Sequence, residues 1–381
     1  MSVNFKETYY GKKIDTANIL NIDDASKLIN GRKTCIITGV TGQDGSHMVE
    51  FLLKNTDLVI FGGVRRLSVY NHENIRDIKS DRFYLINFDL TDSHAISRSV
   101  EKLQPDYFIN FAAQSFVASS WDFARQTWQT NSTAILDILE AIRLYKPCCR
   151  LYQAGSSEEF GNVMYTPQDE NHPLRPRSPY GASKAASRQL VKVYRDSYNL
   201  YAIQGWLFNH EGTRRGEEFV TRKITKNIAR INNAIKNNQE FAPLELGNIE
   251  AKRDWSDSED FVEGVWMMLN QDKYNSNYDG VPKEYVFSSN ETHTIKEFAE
   301  KAFAHAGIKG EWIGEGEHTM YVSNDKKILI KINPKFYRPA EVELLLGNSD
   351  KARKELNWKP KISFDNLVKK MVEWDIENFK S

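Results

Sequence analysis

The amino-acid sequence predicts an α/β protein in which a doubly wound parallel sheet is followed by a smaller lobe of mixed helix and strand. Strand and helix signals alternate from residue 34 onward, which is the order of βαβ units. The strand segments are apolar on both faces, as in a sheet covered by helices on each side. A glycine-rich turn joins the first strand to the first long helix, where such sheets bind ligands.

The predicted elements fall into three stretches of the chain. Residues 1–33 are polar and are predicted to be an extension, an arm able to pack on a neighbouring subunit. Residues 34–207 carry the alternating pattern, with strands in "TCIITGV", "LVIFGGV", "FYLINFDL", "YFINFAA" and "RLYQAGS" and helices in "GSHMVEFLLKN" and "STAILDILEAIRLY". In residues 208–381, strands such as "EYVFSS" and "KILIKI" are separated by irregular segments. This stretch is predicted to form mainly a second domain. Some of its strands can also belong to the sheet of the first domain.

The composition excludes several classes of function. Of 381 residues, 51 are Lys or Arg and 51 are Asp or Glu, so the chain has no general basic character for nucleic acid or anionic lipid. No apolar stretch is long enough to cross a bilayer, and residues 1–13 lack the apolar segment of a secretory signal. The cysteines Cys35, Cys148 and Cys149 form no disulfide framework. We therefore predict a cytoplasmic protein without membrane or nucleic-acid partners.

The glycine-rich turn "TGVTGQDG" indicates a dinucleotide cofactor. It places Gly39, Gly42 and Gly45 between a strand and a helix. Glycines permit the tight turn and let the backbone approach a pyrophosphate at the helix N-terminus, so the pattern predicts a Rossmann-type domain. The next strand ends in Arg65 and Arg66, where an NAD site would place an acidic residue. Guanidinium groups suit the 2′-phosphate of NADP, which is therefore the predicted cofactor.

The segment "SPYGASKAASRQLVKVYRDSY" predicts a helix that begins near Ser178 or Pro179. Tyr180 and Lys184 lie four residues apart and therefore on one face of this helix. A lysine ammonium and an oxidised nicotinamide both stabilise a nearby phenolate, so the tyrosine can act as a base near neutral pH. Downstream of a dinucleotide turn, this pair indicates removal of a hydroxyl proton from an alcohol while hydride leaves the same carbon.

Several longer segments resemble those of GDP-mannose 4,6-dehydratases, members of the extended short-chain dehydrogenase/reductase group. These segments are "TGVTGQDG", "GSSEEFG", "SPYGASK", "LFNHEGTRRGEEFVTRKI", "LGNIEAKRDW" and "YRPAEVELLLGN". The resemblance extends from about Thr34 to the C-terminus. It implies a nucleotide-sugar lyase that converts GDP-D-mannose to GDP-4-keto-6-deoxy-D-mannose by internal hydride transfer through NADP and loss of water. It also implies a homodimer or homotetramer.

The resemblance assigns residues to the site. The catalytic positions match Ser156, Glu158, Tyr180 and Lys184. The predicted cofactor site consists of Gly39, Gly42, Gln43, Asp44, Gly45, Arg65, Arg66, Asp89, Leu90, Ala112, Tyr180, Lys184, His210 and Arg215. The predicted GDP-sugar site consists of Asn209, Val220, Lys223, Arg253, Arg338 and Glu341. No metal is predicted, because His210 has no second histidine or cysteine at ligand spacing and is expected to structure its loop.

The implied chemistry gives a role to one of two adjacent glutamates. Tyr180 would take the C4 hydroxyl proton, and the resulting 4-ketone would acidify the C5 proton for removal by Glu158. Loss of the C6 hydroxyl as water, assisted by Glu158 or Ser156, would follow. Glu159 stands where the family more often has an apolar residue. Neighbouring side chains of an extended segment point to opposite sides, so Glu159 is predicted to be solvated or paired with a basic residue.

The sequence leaves two alternatives to this function open. One is dehydration of another GDP sugar, such as GDP-D-glycero-D-manno-heptose, because Phe116, Gly155 and Glu159 depart from the family pattern near the sugar. The other is a catalytically silent nucleotide-sugar-binding protein, against which the complete catalytic set argues. Phe116 and Trp121 are predicted to fill the core rather than cover the sugar. The arginine pair at residues 214–215 is equally compatible with phosphate binding, a subunit contact or an exposed turn.

Overall fold

The computed structural model of the chain describes residues 19–67, 71–336 and 344–380. Its helices are α1 (Ile22–Ser26), α2 (Gln43–Asn55), α3 (Ser93–Leu103), α4 (Ala124–Trp128), α5 (Ala134–Tyr145), α6 (Pro179–Tyr198), α7 (Val220–Lys236), α8 (Ser258–Leu269), α9 (Gln271–Tyr274), α10 (Ile295–His305), α11 (Asp350–Leu356) and α12 (Phe364–Glu377). Its strands are β1 (Thr34–Thr38), β2 (Val59–Val64), β3 (Phe83–Asn87), β4 (Tyr107–Asn110), β5 (Arg150–Ala154), β6 (Ala202–Leu207), β7 (Asn209–Glu211), β8 (Leu244–Leu246), β9 (Lys252–Arg253), β10 (Trp255–Asp257), β11 (Val286–Phe287), β12 (His293–Thr294), β13 (Gly310–Ile313), β14 (Met320–Ser323), β15 (Ile328–Ile332) and β16 (Leu344–Leu345). None of the described helices is both long and apolar enough to cross a membrane.

The main sheet of the described chain has seven parallel strands in the order β3-β2-β1-β4-β5-β6-β11. The direction in which strands are added reverses between β1 and β4, which creates a crevice at their carboxyl ends. Successive side chains of a strand enter opposite cores, since Ile36 belongs to one buried cluster and Ile37 to the other. These observations confirm the predicted doubly wound parallel sheet.

The described part of the N-terminal extension packs on its own chain. The Leu20 N–H donates to the Leu85 carbonyl oxygen at 2.8 Å, beside β3. Helix α1 packs on α3, where Asp23 pairs with Arg98 at 2.5 Å. Residues 19–33 thus cover one edge of the main sheet, and the rest of the predicted arm lies outside the described residues.

The chain beyond residue 208 builds smaller sheets. β7 pairs with β10, β12-β9-β16 form a three-stranded sheet, and β13-β14-β15-β8 form a four-stranded sheet of mixed direction. Helices α7, α10 and α12 share a core with the four-stranded sheet. Helix α8 instead packs on α2, and Tyr285 and Trp358 join a core of the main sheet. The boundary after residue 207 stays a prediction, because later segments return to the first core.

Candidate active site

A cavity of about 440 Å³ lies at the carboxyl ends of β4, β5 and β6. Its walls include Phe111 after β4, Ala154 at the end of β5 and Leu207 at the end of β6. Residues from α7 and from loops of the second lobe complete the lining, among them Val220 and Phe336. The cavity thus occupies the crevice in which doubly wound sheets bind ligands.

The glycine turn after β1 forms a backbone cradle. Gly39 has a φ of +67°, and a Cβ atom there would lie 2.7 Å from the Ala112 nitrogen. A Cβ atom at Gly45 would lie 2.3 Å from the Gly39 carbonyl oxygen, so α2 packs directly on the turn. Gly42 is the N-cap of α2 and offers no side chain to the first-turn N–H groups. The turn therefore fits a pyrophosphate, which would accept hydrogen bonds from these groups.

An ion pair joins α2 to the second lobe. The Asp44 carboxylate lies 2.9 Å from His210 Nε2, and His210 Nδ1 lies 2.8 Å from the Phe208 carbonyl oxygen. Burial opposes ionisation, but the charge and hydrogen bond of His210 outweigh it and lower the pKa of Asp44 to about 2. Gln43 Nε2 donates to the His210 carbonyl oxygen at 3.0 Å. His210 thus has the structural role that was predicted, although it lies on the short strand β7, which it ties to α2, and not in a loop. The described residues contain no His, Cys, Asp and Glu cluster suited to a metal ion.

Other predicted cofactor residues follow β2 and β3. Arg65 and Arg66 come directly after β2 and are exposed. In the turn after β3, Asp89 accepts from the Thr91 N–H at 2.9 Å, and Leu90 is buried. These residues border the same edge of the sheet as the glycine turn, outside the 440 Å³ cavity. Their contact with NADP stays a prediction.

Helix α6 brings Tyr180 and Lys184 to the cavity. Ser178 caps the helix by accepting a backbone hydrogen bond, and Pro179 is its first residue, which confirms the predicted start. Lys184 Nζ donates to the Ala154 carbonyl oxygen at 2.8 Å and lies 5.9 Å from the centre of the Tyr180 ring. The two side chains therefore share one helix face and one cavity.

Burial shifts the pKa of both side chains. It lowers the pKa of Lys184 to about 8, against the attraction of Glu159 and Asp44. It raises the pKa of Tyr180 to about 12, although a hydrogen bond with Ser156 favours the phenolate. Lys184 is thus mainly protonated at neutral pH, and Tyr180 depends on nearby positive charge to lose its proton.

The segment after β5 is a helical turn rather than an extended strand. Ser157–Glu159 form one turn of 3-10 helix, and the Oγ of Ser156 caps it by accepting from the Glu158 N–H at 3.2 Å. Ser156 and the half-buried Glu158 both line the cavity. The structure therefore brings these two residues together with Tyr180 and Lys184.

Glu159 lies outside the lining of the cavity. Its side chain is fully buried, and Oε2 lies 2.5 Å from Arg188 Nε. Oε1 accepts from the Ser156 N–H at 2.8 Å, which completes a capping box with the Ser156 hydroxyl. The prediction of a solvated Glu159 is wrong, and the alternative of a basic partner is confirmed. The predicted extended geometry is also wrong, because the two glutamates diverge on a helical turn.

The predicted GDP-sugar residues divide into two groups. Those that line the cavity are Asn209, Val220, Lys223 and Arg253. Lys223 Nζ lies 3.7 Å from the centre of the Phe336 ring, and burial lowers the pKa of Lys223. Asn209 Oδ1 is buried without a hydrogen-bond partner in the described part of the chain, so it can accept from a ligand. Arg338 and Glu341 lie outside the described residues.

Two aromatic residues contradict the prediction that they fill the core. Phe116 lines the cavity and meets Phe219 edge to face, with ring centres 6.0 Å apart. Trp121 is 53% exposed. Both follow β4 in the loop at the crevice, where a large apolar side chain can cover a ligand site or face solvent. Phe219 and Phe336 were not predicted as lining residues, because an aromatic residue outside a periodic segment has no pattern to place it.

The two arginines after β7 have different surroundings. Arg214 pairs with Glu50 of α2 at 2.9 Å. Arg215 pairs with Glu211 at 3.1 Å, and its guanidinium lies 3.6 Å from the centre of the Phe219 ring. Arg215 also lines the cavity, which favours ligand binding for this residue over an exposed turn.

Known proteins resemble the chain along most of its length. A family model described as GDP-mannose 4,6 dehydratase matches residues 36–371. GDP-mannose 4,6 dehydratases of Drosophila melanogaster and Homo sapiens are 42% and 38% identical, each over 91% of this chain and over 86% and 92% of their own lengths. The GDP-mannose 4,6-dehydratase of Yersinia enterocolitica is 38% identical, over 91% of this chain and 95% of its own.

Solved structures share the fold at lower identity. A dTDP-glucose 4,6-dehydratase from Streptomyces venezuelae with NAD bound has a TM-score of 0.74 and 20% identity, covering 91% of this chain and 97% of its own. The Pseudomonas aeruginosa protein RMD, complexed with NADPH, has a TM-score of 0.69 and 20% identity, covering 91% and 100%. The likeness to these structures shows the fold alone. With the family model matched over residues 36–371 and relatives at 38–42% identity, the chain belongs to the GDP-mannose 4,6-dehydratase family.

Proposed function

We propose that the protein is an NADP-dependent lyase that converts GDP-D-mannose to GDP-4-keto-6-deoxy-D-mannose with loss of water. The observation that carries the proposal is the convergence of Ser156, Glu158, Tyr180 and Lys184 on one cavity. A reductase or 4-epimerase needs the tyrosine and lysine, whereas elimination of water also needs a base at C5. Membership of the family supports GDP-mannose as the substrate.

The residues at the sheet edge fit NADP. Gly39, Gly42 and the first turn of α2 would hold the pyrophosphate. Arg65 and Arg66 would pair with the 2′-phosphate, and the first positions after β2 carry no acid that would favour NAD. When bound, the nicotinamide supplies a reversible store for the two electrons that leave the sugar at C4 and return at C6. Because the electrons return to the same sugar, no external oxidant or reductant is consumed.

Tyr180 is the base for the C4 hydroxyl. Burial holds its pKa at about 12, so its ionisation depends on the charges that face it. The Lys184 ammonium lies 5.9 Å from the ring centre and stabilises the phenolate. The Ser156 side chain is hydrogen-bonded to Tyr180, and this bond favours the phenolate and orients the reacting oxygen.

Glu158 is the base for C5. A 4-ketone draws electrons from the adjacent carbon, so the C5 proton becomes acidic enough for a carboxylate to remove. The electron pair left at C5 forms a double bond to C6 as the C6–O bond breaks. The departing hydroxyl takes a proton from Glu158 or Ser156 and leaves as water. Two electrons and a proton, which together are the hydride taken from C4, then return at C6. The proton that Tyr180 took from the C4 hydroxyl balances the proton that C5 gains, and the 4-keto-6-deoxy sugar results.

The second lobe would hold the GDP sugar. Lys223 supplies a cation and Asn209 an unpaired acceptor within the cavity. Phe116 and Phe219 form an apolar wall of the same cavity. A related substrate, GDP-D-glycero-D-manno-heptose, is the second candidate, because Phe116 departs from the family pattern at this wall.

The protein is also proposed to form a homodimer, alone or as half of a homotetramer. Exposed apolar side chains are concentrated on α5 and α6, namely Leu136, Leu144, Tyr145, Val193 and Tyr198. These two helices pack against each other, so the side chains belong to one region of the surface. Exposed apolar surface of this kind is typical of subunit contacts.

The reaction is tested with GDP-mannose and GDP-D-glycero-D-manno-heptose by mass spectrometry, with NADP or NAD supplied. We expect loss of one water from GDP-mannose with NADP. Glu158→Gln should abolish water loss and the exchange of the C5 hydrogen with solvent deuterium, while NADP binding is retained. Glu218→Gln is the matched control, because Glu218 lines the same cavity and undergoes the same chemical change. Water loss from neither sugar contradicts the proposal, and turnover by Glu158→Gln contradicts its assignment of the C5 base.

A further inference from the structure

A buried ionic network lies behind the catalytic turn and has no part in the proton transfers described above. Glu159 and Arg188 form its centre, with 0% and 4% of their side chains exposed. Arg188 also pairs with Glu284 at 2.9 Å, and Glu284 pairs with Arg195 at 3.0 Å. The Arg188 guanidinium lies 3.4 Å from the centre of the Trp206 ring. Two carboxylates are thus matched by two guanidinium groups of α6.

The Glu159 end of this network contacts the catalytic turn. Oε1 accepts from the Ser156 N–H at 2.8 Å and from Gln204 Nε2 at 3.0 Å. Gln204 Nε2 also donates to the Lys184 carbonyl oxygen at 2.9 Å. One carboxylate oxygen therefore holds the backbone of Ser156 and links it to the turn of α6 that carries Lys184.

Gly155 has no side chain, and the ionic network occupies the space that a side chain would fill. A Cβ atom at this position would lie 2.9 Å from Arg188 Nη2, 2.9 Å from Glu159 Oε1 and 2.0 Å from the Gly205 carbonyl oxygen. A larger residue would collide with the ion pair and with the neighbouring strand. Gly155 and Glu159, two of the three positions at which the sequence is expected to depart from the family pattern, are therefore adjacent in space.

We propose that Glu159 is a positioning residue: its Oε1 holds the Ser156 backbone so that the Ser156 hydroxyl and the Glu158 carboxylate face the substrate. This inference rests on the proposed function, because it concerns the same site. The Ser156 Oγ caps the Ser157–Glu159 turn, which carries Glu158, and is hydrogen-bonded to Tyr180. Release of the Ser156 N–H would loosen both contacts, and a displacement of about 1 Å at a reacting group costs about 100-fold in rate.

Two double variants separate the hydrogen bond from the charge. Glu159→Leu/Arg188→Met removes both charges, so that neither is left buried alone, and deprives the Ser156 N–H of its acceptor. Glu159→Gln/Arg188→Met also removes both charges, but the glutamine carbonyl oxygen can still accept from Ser156. We expect the first variant to lose about 10- to 100-fold in kcat, with the KM for GDP-mannose and the Kd for NADP within about twofold of wild type. The second should recover to within about fivefold of the wild-type kcat.

Glu284→Gln is the matched control, because Glu284 pairs with the same Arg188 and is not bonded to the catalytic turn. It should keep kcat within about twofold of wild type. Equal kcat in the two double variants, or an equally large loss in Glu284→Gln, would overturn the proposal. Failure of the proposed function has a different signature: the wild-type protein would then release no water from GDP-mannose, and both proposals would fall.

Discussion

Replacement of Lys184 by methionine should stabilise the cofactor-free protein while abolishing turnover. The Lys184 ammonium is buried and donates to the Ala154 carbonyl oxygen at 2.8 Å, which is a neutral acceptor. Burial lowers its pKa from 10.5 to about 8. At about 1.4 kcal/mol per pH unit, this shift corresponds to about 3 kcal/mol of destabilisation of the folded state at neutral pH.

The pH dependence of this effect follows from proton binding in the two states. Below pH 8 the folded and unfolded chains both carry the proton on Lys184, so the folded state bears the full unfavourable free energy. Between pH 8 and 10.5 the folded protein loses the Lys184 proton while the unfolded chain still holds it. The free energy of unfolding of the wild type therefore rises relative to that of the variant. Loss of the hydrogen bond to Ala154 offsets about 1 kcal/mol of the gain. The variant should therefore be more stable by about 2 kcal/mol at pH 7 and slightly less stable above pH 10.5.

Urea unfolding of the cofactor-free proteins between pH 7 and pH 10 measures this difference. Lys192→Met is the matched control, because Lys192 lies on the same helix and is exposed. The control should change the free energy of unfolding by less than about 0.5 kcal/mol at every pH. The reasoning is refuted if Lys184→Met is less stable than wild type at pH 7. It is also refuted if the two proteins differ in free energy of unfolding by the same amount at pH 7 and at pH 10.

Other substitutions have defined outcomes. Gly39→Ala should weaken NADP binding by about tenfold or more in calorimetry, because the residue has a φ of +67° and its Cβ would lie 2.7 Å from backbone. Arg65→Glu should weaken NADP binding about tenfold and leave NAD binding unchanged in the same assay. Arg188→Met alone should lower the free energy of unfolding by about 3 kcal/mol in urea, because Glu159 is left buried without its cation. Leu144→Glu, at a side chain that is 58% exposed, should yield a folded monomer in light scattering. Unchanged NADP binding in either of the first two variants, an unchanged free energy of unfolding in Arg188→Met, or an unchanged oligomeric state in Leu144→Glu contradicts the role given to that residue.

The main sheet and the catalytic helix could be predicted because their signals are local. Each strand is a short apolar run bounded by polar turns, and Ser178 and Pro179 mark the start of α6. A spacing of four residues is enough to place Tyr180 and Lys184 on one helix face. The strand order in the first half of the chain then brings the carboxyl ends of β4, β5 and β6 to one crevice.

The surroundings of Phe116, Trp121 and Glu159 depend on contacts between distant segments. Both aromatic residues have the same preference for burial, yet one lines the cavity and the other is exposed, according to where the loop after β4 runs. Glu159 meets Arg188, which follows 29 residues later on another element. A charged residue next to a catalytic acid carries no local pattern that distinguishes a buried ion pair from a solvated surface.

The buried charges of Glu159 and Lys184 have different partners, one a charged side chain and the other a neutral carbonyl group. This difference agrees with their proposed roles. Glu159 contacts Arg188 directly, so the positive charge of Arg188 offsets part of the attraction that Glu159 exerts on Lys184. The Lys184 ammonium donates instead to a backbone carbonyl. A carboxylate in contact with this ammonium would stabilise the fold but would cancel much of its field at Tyr180. The instability expected from Lys184 is therefore the physical consequence of keeping a positive charge available to the phenolate.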